Sequence, residues 1–172
     1  MKRLKDVDYK ILSELFKNAR ISDRQLAKRI NVSQPTVSRR RVMLEKNGLL
    51  DYSAIPNLEK LGLEIVAFTF AQVKEGNLRR EIEQKITDFY KTCPNVVFAT
   101  GGRGLGLDIV TISLHGSYSE YAEFARELKA EWGGYVGKQD SFIISLKSDV
   151  VPKSLTFRDL IEYLKKMQEN EG

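Results

Sequence analysis

Ser22 and Ser33 both carry the signature of a helix start, and the eleven residues between them leave room for one short helix and a tight turn. Ser22 with Gln25 forms an S-x-x-Q capping box, in which each side chain satisfies a backbone N–H left open by the first turn. Ile21 and Leu26 occupy the flanking staple positions, and Val32 and Val37 repeat that arrangement around Ser33. Two capped helices joined through Asn31-Val32-Ser33 predict a helix-turn-helix. The second helix presents Arg39, Arg40 and Arg41 among Gln34, Pro35, Thr36 and Ser38. Arginine suits guanine edges and phosphates, and Gln, Ser and Thr hydrogen-bond either. Val37 and Leu44 commit the opposite side to a core. Gln34, Pro35, Thr36, Ser38, Arg39 and Arg40 are therefore the candidate contacts to double-stranded DNA. The plainer alternative is a solvated arginine-rich helix, and the agreement of caps, turn and basic side weighs against it.

Charge is segregated in the same sense. Residues 1–57 hold 13 Lys/Arg against 6 Asp/Glu, a balance of +7, whereas residues 58–150 hold 11 against 13, a balance of −2. Positive charge that coincides with the helix-turn-helix is what a polyanion-binding module requires. The 172 residues, 42% of them hydrophobic, suffice for two small domains with real cores. No apolar signal core opens the chain and no apolar run approaches a membrane span, so a cytoplasmic protein without membrane attachment is expected.

Around the two capped helices, Val7, Ile11, Leu12 and Leu15 predict a preceding helix capped by Asp6. Asn47-Gly48 ends the third, and Leu49–Ala54 has the content of a wing or hinge strand before a break at Pro56-Asn57. From Leu61 the texture alternates. A strand through Val73 is followed by a helix with Leu78, Ile82, Ile86, Phe89 and Cys93 on one face. Strands Val96–Thr100 and Leu107–Leu114 flank the loop Gly101–Gly106. A second helix places Tyr121, Phe124, Ala125, Leu128 and Trp132 inward, and Asp140–Leu146 is the last strand. The order β-α-β-β-α-β predicts a ferredoxin-like domain with both helices on one side of the sheet. The other side is apolar too, through residues 65–73 and 107–114, and calls for a second copy. A tail helix capped by Thr156, with Phe157, Leu160, Ile161, Leu164 and Met167 in one stripe, must dock on its own subunit or a neighbour. The expected divisions are 1–54, a linker 55–62, 63–150 and a terminal helix in 151–172.

Gly101, Gly102, Arg103, Gly104, Gly106 and Asp108 are the candidate effector site. Unshielded N–H groups can converge on a carboxylate, Arg103 adds a donor fork, and Asp108 suits an ammonium. A simple hairpin is the alternative. The loop is neither a Walker A motif nor a dinucleotide fingerprint, since a strand follows it. His115 is the only histidine and is expected in a surface turn. Cys93 is the only cysteine. One of each precludes a disulfide within the chain and argues against a metal site or a catalytic triad. No cofactor is expected.

Residues 1–150 resemble the Lrp/AsnC (leucine-responsive, or feast/famine) transcriptional regulators. The opening pattern L-D-x-x-D-x-x-I-L is matched at Leu4, Asp8, Ile11 and Leu12, with Lys5 at the first aspartate. Ala19-Arg20-Ile21-Ser22, Leu26-Ala27, Ser33, Val37, Arg40, Leu44-Glu45 and Gly48 follow in order. The resemblance implies an α+β protein: an N-terminal winged helix-turn-helix, a hinge strand and a C-terminal ferredoxin-like βαββαβ domain. The helix after Pro152 is additional to that pattern. It further implies a non-enzymatic, sequence-specific DNA-binding regulator, a homodimer or octamer through the sheet domains, and an amino-acid effector near the glycine loop. Arg41 stands where the family usually has an aliphatic residue, which points to a slightly rotated recognition helix or to packing by Val42 instead. Two other readings compete. Siroheme decarboxylases resemble the same architecture but would need histidines and arginines around a tetrapyrrole, and this chain has one histidine. An amino-acid-sensing module acting only through proteins conflicts with the charge segregation.

Overall fold

A computed structural model describes residues 4–74, 79–148, 156–157 and 160–169. Its elements are α1 (Asp6–Lys17), α2 (Asp23–Ile30), α3 (Gln34–Lys46), β1 (Ile65–Val73), α4 (Arg79–Lys91), β2 (Val96–Gly104), β3 (Leu107–His115), α5 (Tyr118–Trp132), β4 (Val136–Ser145) and α6 (Leu160–Glu169). They fall into two units, one made of residues 1–55 and 152–172, the other of residues 56–151.

In the helical unit the stripes of α1, α2 and α3 converge, burying Ile11, Leu12, Leu15, Leu26, Ala27, Val37 and Leu44 around Ile21. The capping box at Ser22 is formed: Gln25 N–H donates to Ser22 Oγ (3.3 Å) and Ser22 N–H to Gln25 Oε1 (3.3 Å). Asn31 takes the left-handed conformation (φ 54°) that ends α2. Ser33 Oγ accepts from Thr36 N–H at the start of α3. Asp6 does not cap α1. Lys5 is the flanking residue, and its N–H donates to Asp8 Oδ2 at 2.7 Å, so the carboxylate three residues in does the capping. Leu50–Asn57 carry no strand, because the only ladders among the described residues join β1 to β4 and leave this segment no neighbour. The terminal helix docks in this unit. Ile161 is 2% exposed within the same core, with Leu164 packed beside it. Full burial of an isoleucine is worth roughly 1.5–3 kcal/mol, which makes α6 a fourth helix of this unit.

The sheet unit has strand order β2-β3-β1-β4, antiparallel throughout, as the ferredoxin-like topology requires. β4 starts earlier than expected, at Val136. Ile65, Ala67 and Thr69 of β1 and Thr111, Ser113 and His115 of β3 face α5, where Tyr121 and Ala125 close a small core. Phe89 on α4 meets Trp132 edge-on at 5.4 Å. Leu78 and the side chains of Ile82 and Met167 lie outside the described residues.

Two further expectations fail in the sheet unit. The segment Gly101–Gly106 is not a loop: β2 runs to Gly104, and Leu105 (φ 54°) and Gly106 (φ 71°) make a two-residue turn of the kind that matches strand twist. Strand alternation also carries His115 inward beside Ser113 instead of leaving it in a surface turn. It is 3% exposed, and its Nε2 hydrogen-bonds Ser113 Oγ at 2.9 Å. Burial lowers the pKa of its imidazole, against a smaller upward pull from Glu120.

Candidate nucleic-acid interface and effector cleft

Helix α3 sorts its residues by angle. Val37 and Leu44 are fully buried, so Pro35, Arg39, Val42 and Lys46, at offsets of four, three and four, line the opposite side and are exposed. Gln34 is exposed beside them. Three of the six candidate DNA contacts, Gln34, Pro35 and Arg39, therefore face outward. The others are engaged within the fold. Thr36 Oγ1 pairs with Ser33 Oγ at 2.8 Å, and Ser38 Oγ donates to Asp23 Oδ2 at 2.6 Å.

Arg40 does not face outward, contrary to expectation. Its Nε donates to Asp8 Oδ1 at 2.6 Å and its Nη2 to Asp8 Oδ2, a two-pronged pair that ties α3 to α1. A carboxylate buried as completely as Asp8 needs that partner. Burial raises its pKa, but the Arg40 hydrogen bonds and the Lys5 N–H outweigh it and hold the carboxyl below its ordinary range. Arg41 also turns inward. Val42 does not replace it in the core, being 46% exposed. Arg41 reaches Asp23 Oδ1 (2.9 Å), and Asp23 is held below the usual carboxylate range by Ser38 and, after the opposing effect of burial, by Arg41 itself.

The sequence reading thus found the helix but misplaced part of its face. Val42 and Lys46, outside the expected set, also lie on the outward side. The signal for them was the 180° opposition to Val37 and Leu44.

In the sheet unit a cleft of about 730 Å³ runs between α4 and β2. Gly101, Gly102, Arg103 and Asp108 line it together with Thr87, Tyr90, Phe98 and Thr100. Gly104 and Gly106 are not among its lining residues. The N–H cradle drawn from the sequence is not formed, because Gly101 and Gly104 occupy ladder positions opposite Ile109 and Leu107, with a bulge between them. Asp108 Oδ2 already accepts from Val73 N–H at 3.0 Å. Among the described residues no cluster of three metal-ligating side chains exists, and no helix is long and apolar enough to cross a membrane.

Residues 4–51 match the family described as winged helix-turn-helix DNA-binding. An uncharacterized HTH-type transcriptional regulator of Pyrococcus furiosus is 34% identical over 125 residues, covering 72% of this chain and 80% of that protein. The HTH-type transcriptional regulator LrpC of Bacillus subtilis is 32% identical over 97 residues, covering 56% of this chain and 64% of LrpC. Its solved structure aligns with a TM-score of 0.70 at 25% identity over 88% of this chain and 99% of its own. A transcriptional regulator of Neisseria meningitidis, solved as a complex with L-Met, shares the fold with a TM-score of 0.75 at 21% identity, covering 92% of this chain and 99% of that one.

Proposed function

The chain belongs to the Lrp/AsnC family of HTH-type transcriptional regulators, and from that premise we propose how it works: as a homodimer or higher homo-oligomer that sets paired α3 helices into successive major grooves of double-stranded DNA, under the control of an amino acid held in the α4/β2 cleft. It acts in the cytoplasm, where that DNA lies. The observation that carries the reading is the outward stripe of α3, basic at Arg39 and Lys46, on a helix fixed from behind by the Asp8–Arg40 pair. Rigid presentation of a few side chains is what base readout needs.

The second copy is called for by the open side of the sheet. Phe68 lies between Ile112 and Phe142 in the register, and Val66 between Leu114 and Ile144. Phe142 is 65% exposed and Phe98 49%. Such a continuous apolar face fits a two-fold interface built from the same patch on both subunits.

The effector reading is supported by the four candidate residues that share the cleft. Arg103 supplies a donor fork for a carboxylate and Asp108 an acceptor for an ammonium, and a regulator of the same fold is known as an L-Met complex. The cleft residues all belong to the sheet unit and the DNA-facing residues to the helical unit, so coupling runs through the connecting segments and the assembly. Selection of bound fragments from random DNA, with and without each of the twenty amino acids, tests the whole. A recurrent near-palindrome is expected, with its enrichment changed by one or a few amino acids. Absence of enrichment overturns the reading. Unchanged enrichment with every amino acid, together with equal binding by an Asp108→Ala variant in calorimetry, overturns the effector site alone.

A further inference from the structure

Arg41 lies next to the DNA-facing stripe but points the other way, and every arm of its guanidinium is occupied. Nη1 donates to Ile21 O (3.2 Å) and Asp23 Oδ1 (2.9 Å), Nη2 to Ala19 O (3.4 Å), and Nε to Tyr52 Oη (2.5 Å). Tyr52 Oη in turn donates to Glu45 Oε1 at 2.7 Å, one turn along α3 from Arg41. The guanidinium carbon stands 5.0 Å from the Tyr52 ring centroid, a cation–π contact. Tyr52 is 40% exposed, so burial alone does not explain its place, whereas this set of directed contacts does. It sits three residues before the boundary between the units at Ile55/Pro56. The proline restricts Ile55 to extended conformations, so only Ser53 and Ala54 separate the anchored Tyr52 from a stiffened step at that boundary.

We propose that Arg41 and Tyr52 are positioning residues for DNA binding. They clamp the start of the connecting segment onto the recognition helix and so fix the direction in which the chain leaves the helical unit. In an assembly, that direction sets the separation at which two recognition helices reach DNA at once. The inference rests on the oligomeric reading above. A single helix-turn-helix has no need of the clamp, but a tethered pair does, because simultaneous engagement depends on the geometry and stiffness of the connection.

The test uses the full chain and DNA fragments enriched from a random pool by the protein itself. Fragments carry either one half-site or two, the second group with 0, 2 or 4 base pairs inserted at the centre. Wild type is expected to lose about tenfold in affinity with two inserted pairs, since half-sites must lie one helical turn apart or a multiple of it. Tyr52→Phe, which removes only the hydroxyl, is expected to shrink that penalty to within about threefold. Its affinity for a single half-site and its melting temperature should be unchanged. Arg41→Lys keeps the charge but cannot span Tyr52, Asp23 and two carbonyls together, and it should relax spacing in the same way. Retention of the wild-type spacing penalty by Tyr52→Phe overturns the proposal. So does loss of single-site affinity with spacing dependence intact, the mark of a merely structural role. A wild type indifferent to spacing refutes the paired-helix reading along with the clamp.

Discussion

In the helical unit Arg40 and Arg41 point inward, and Asp8 is buried to 0% exposure, whereas in the sheet unit Phe98 and Phe142 point out to solvent while Thr69, Thr111 and Ser113 lie beneath the helices. The helical unit finds every partner for its inward charges within its own sequence. The sheet unit buries Trp132 and Tyr121 of α5 but leaves Phe98 and Phe142 open on the strands. A buried charge must be paired inside the chain or the fold fails, but an apolar face can wait for assembly.

The largest effect expected on this contrast comes from Asp8→Ala. It strands a mostly buried guanidinium and should destabilise the helical unit by about 3 kcal/mol, the low end for a broken buried pair because Arg40 keeps some solvent. Urea unfolding with a probe in that unit measures it, and an Asp8→Ala/Arg40→Leu double variant should recover part of the loss. Next comes Ile161→Ala, expected to cost about 2 kcal/mol in the same unit while leaving the sheet unit unaffected, as hydrogen exchange can resolve. On the sheet side, Phe142→Asp would place like charges across the proposed two-fold interface. Sedimentation should show a dissociation constant raised by at least tenfold, about 1.4 kcal/mol, with the subunit fold intact. Arg39→Ala should weaken DNA binding by about 1 kcal/mol per site without altering stability, and a shallower salt slope would mark a phosphate contact.

The smallest effect is on pH. His115 has its pKa lowered by burial, so folding favours the neutral imidazole. That contribution is complete above the ordinary value of 6.5 and is lost as pH falls below it. Asp8, Glu14, Asp23 and Asp88, all shifted downward, titrate lower still and leave the range from pH 8 to pH 5 to the histidine. The sheet unit's urea midpoint should hold from pH 8 to about 6.5 and decline from there to pH 5, and His115→Phe should flatten the decline.

What could be read from the residues was whatever local spacing decides. Ser22 with Gln25, and Ser33 with Val32 and Val37, fixed two helix starts, because a cap and a staple act within one turn. The strand–helix alternation fixed the sheet, because periods of 2 and 3.6 differ. The directions of Arg40 and Arg41 could not be read in the same way. Their partners Asp8 and Tyr52 lie 32 and 11 positions away, and a charged residue reads as outward until the carboxylate or hydroxyl behind it is seen. His115 misleads for a related reason: it is the last residue of β3, one position beyond the clearly alternating run Leu107–Leu114, and the strand's alternation turns it inward. The glycines mislead in the opposite sense. Their abundance suggests a cradle, but glycine also tolerates a bulged hairpin arm, and here positive φ falls at Gly104 (156°), Leu105 (54°) and Gly106 (71°) around the turn.

The ladder that pairs Ile65 with Ser145 brings the entrance and exit of the sheet unit side by side, and Leu146 N–H extends the zipper to Glu64 O at 2.8 Å. The helical unit is assembled from both ends of the chain, so its first helix must meet its last across everything between. In an unfolded chain that is a long loop with a correspondingly large closure entropy. Once the sheet has formed, the loop shrinks to the two short connections that leave its paired ends. A completed sheet unit thus makes docking of α6 onto α1 entropically cheap. On a ribosome, where the N-terminal helices emerge long before Ile161, the module made first is therefore the one finished last.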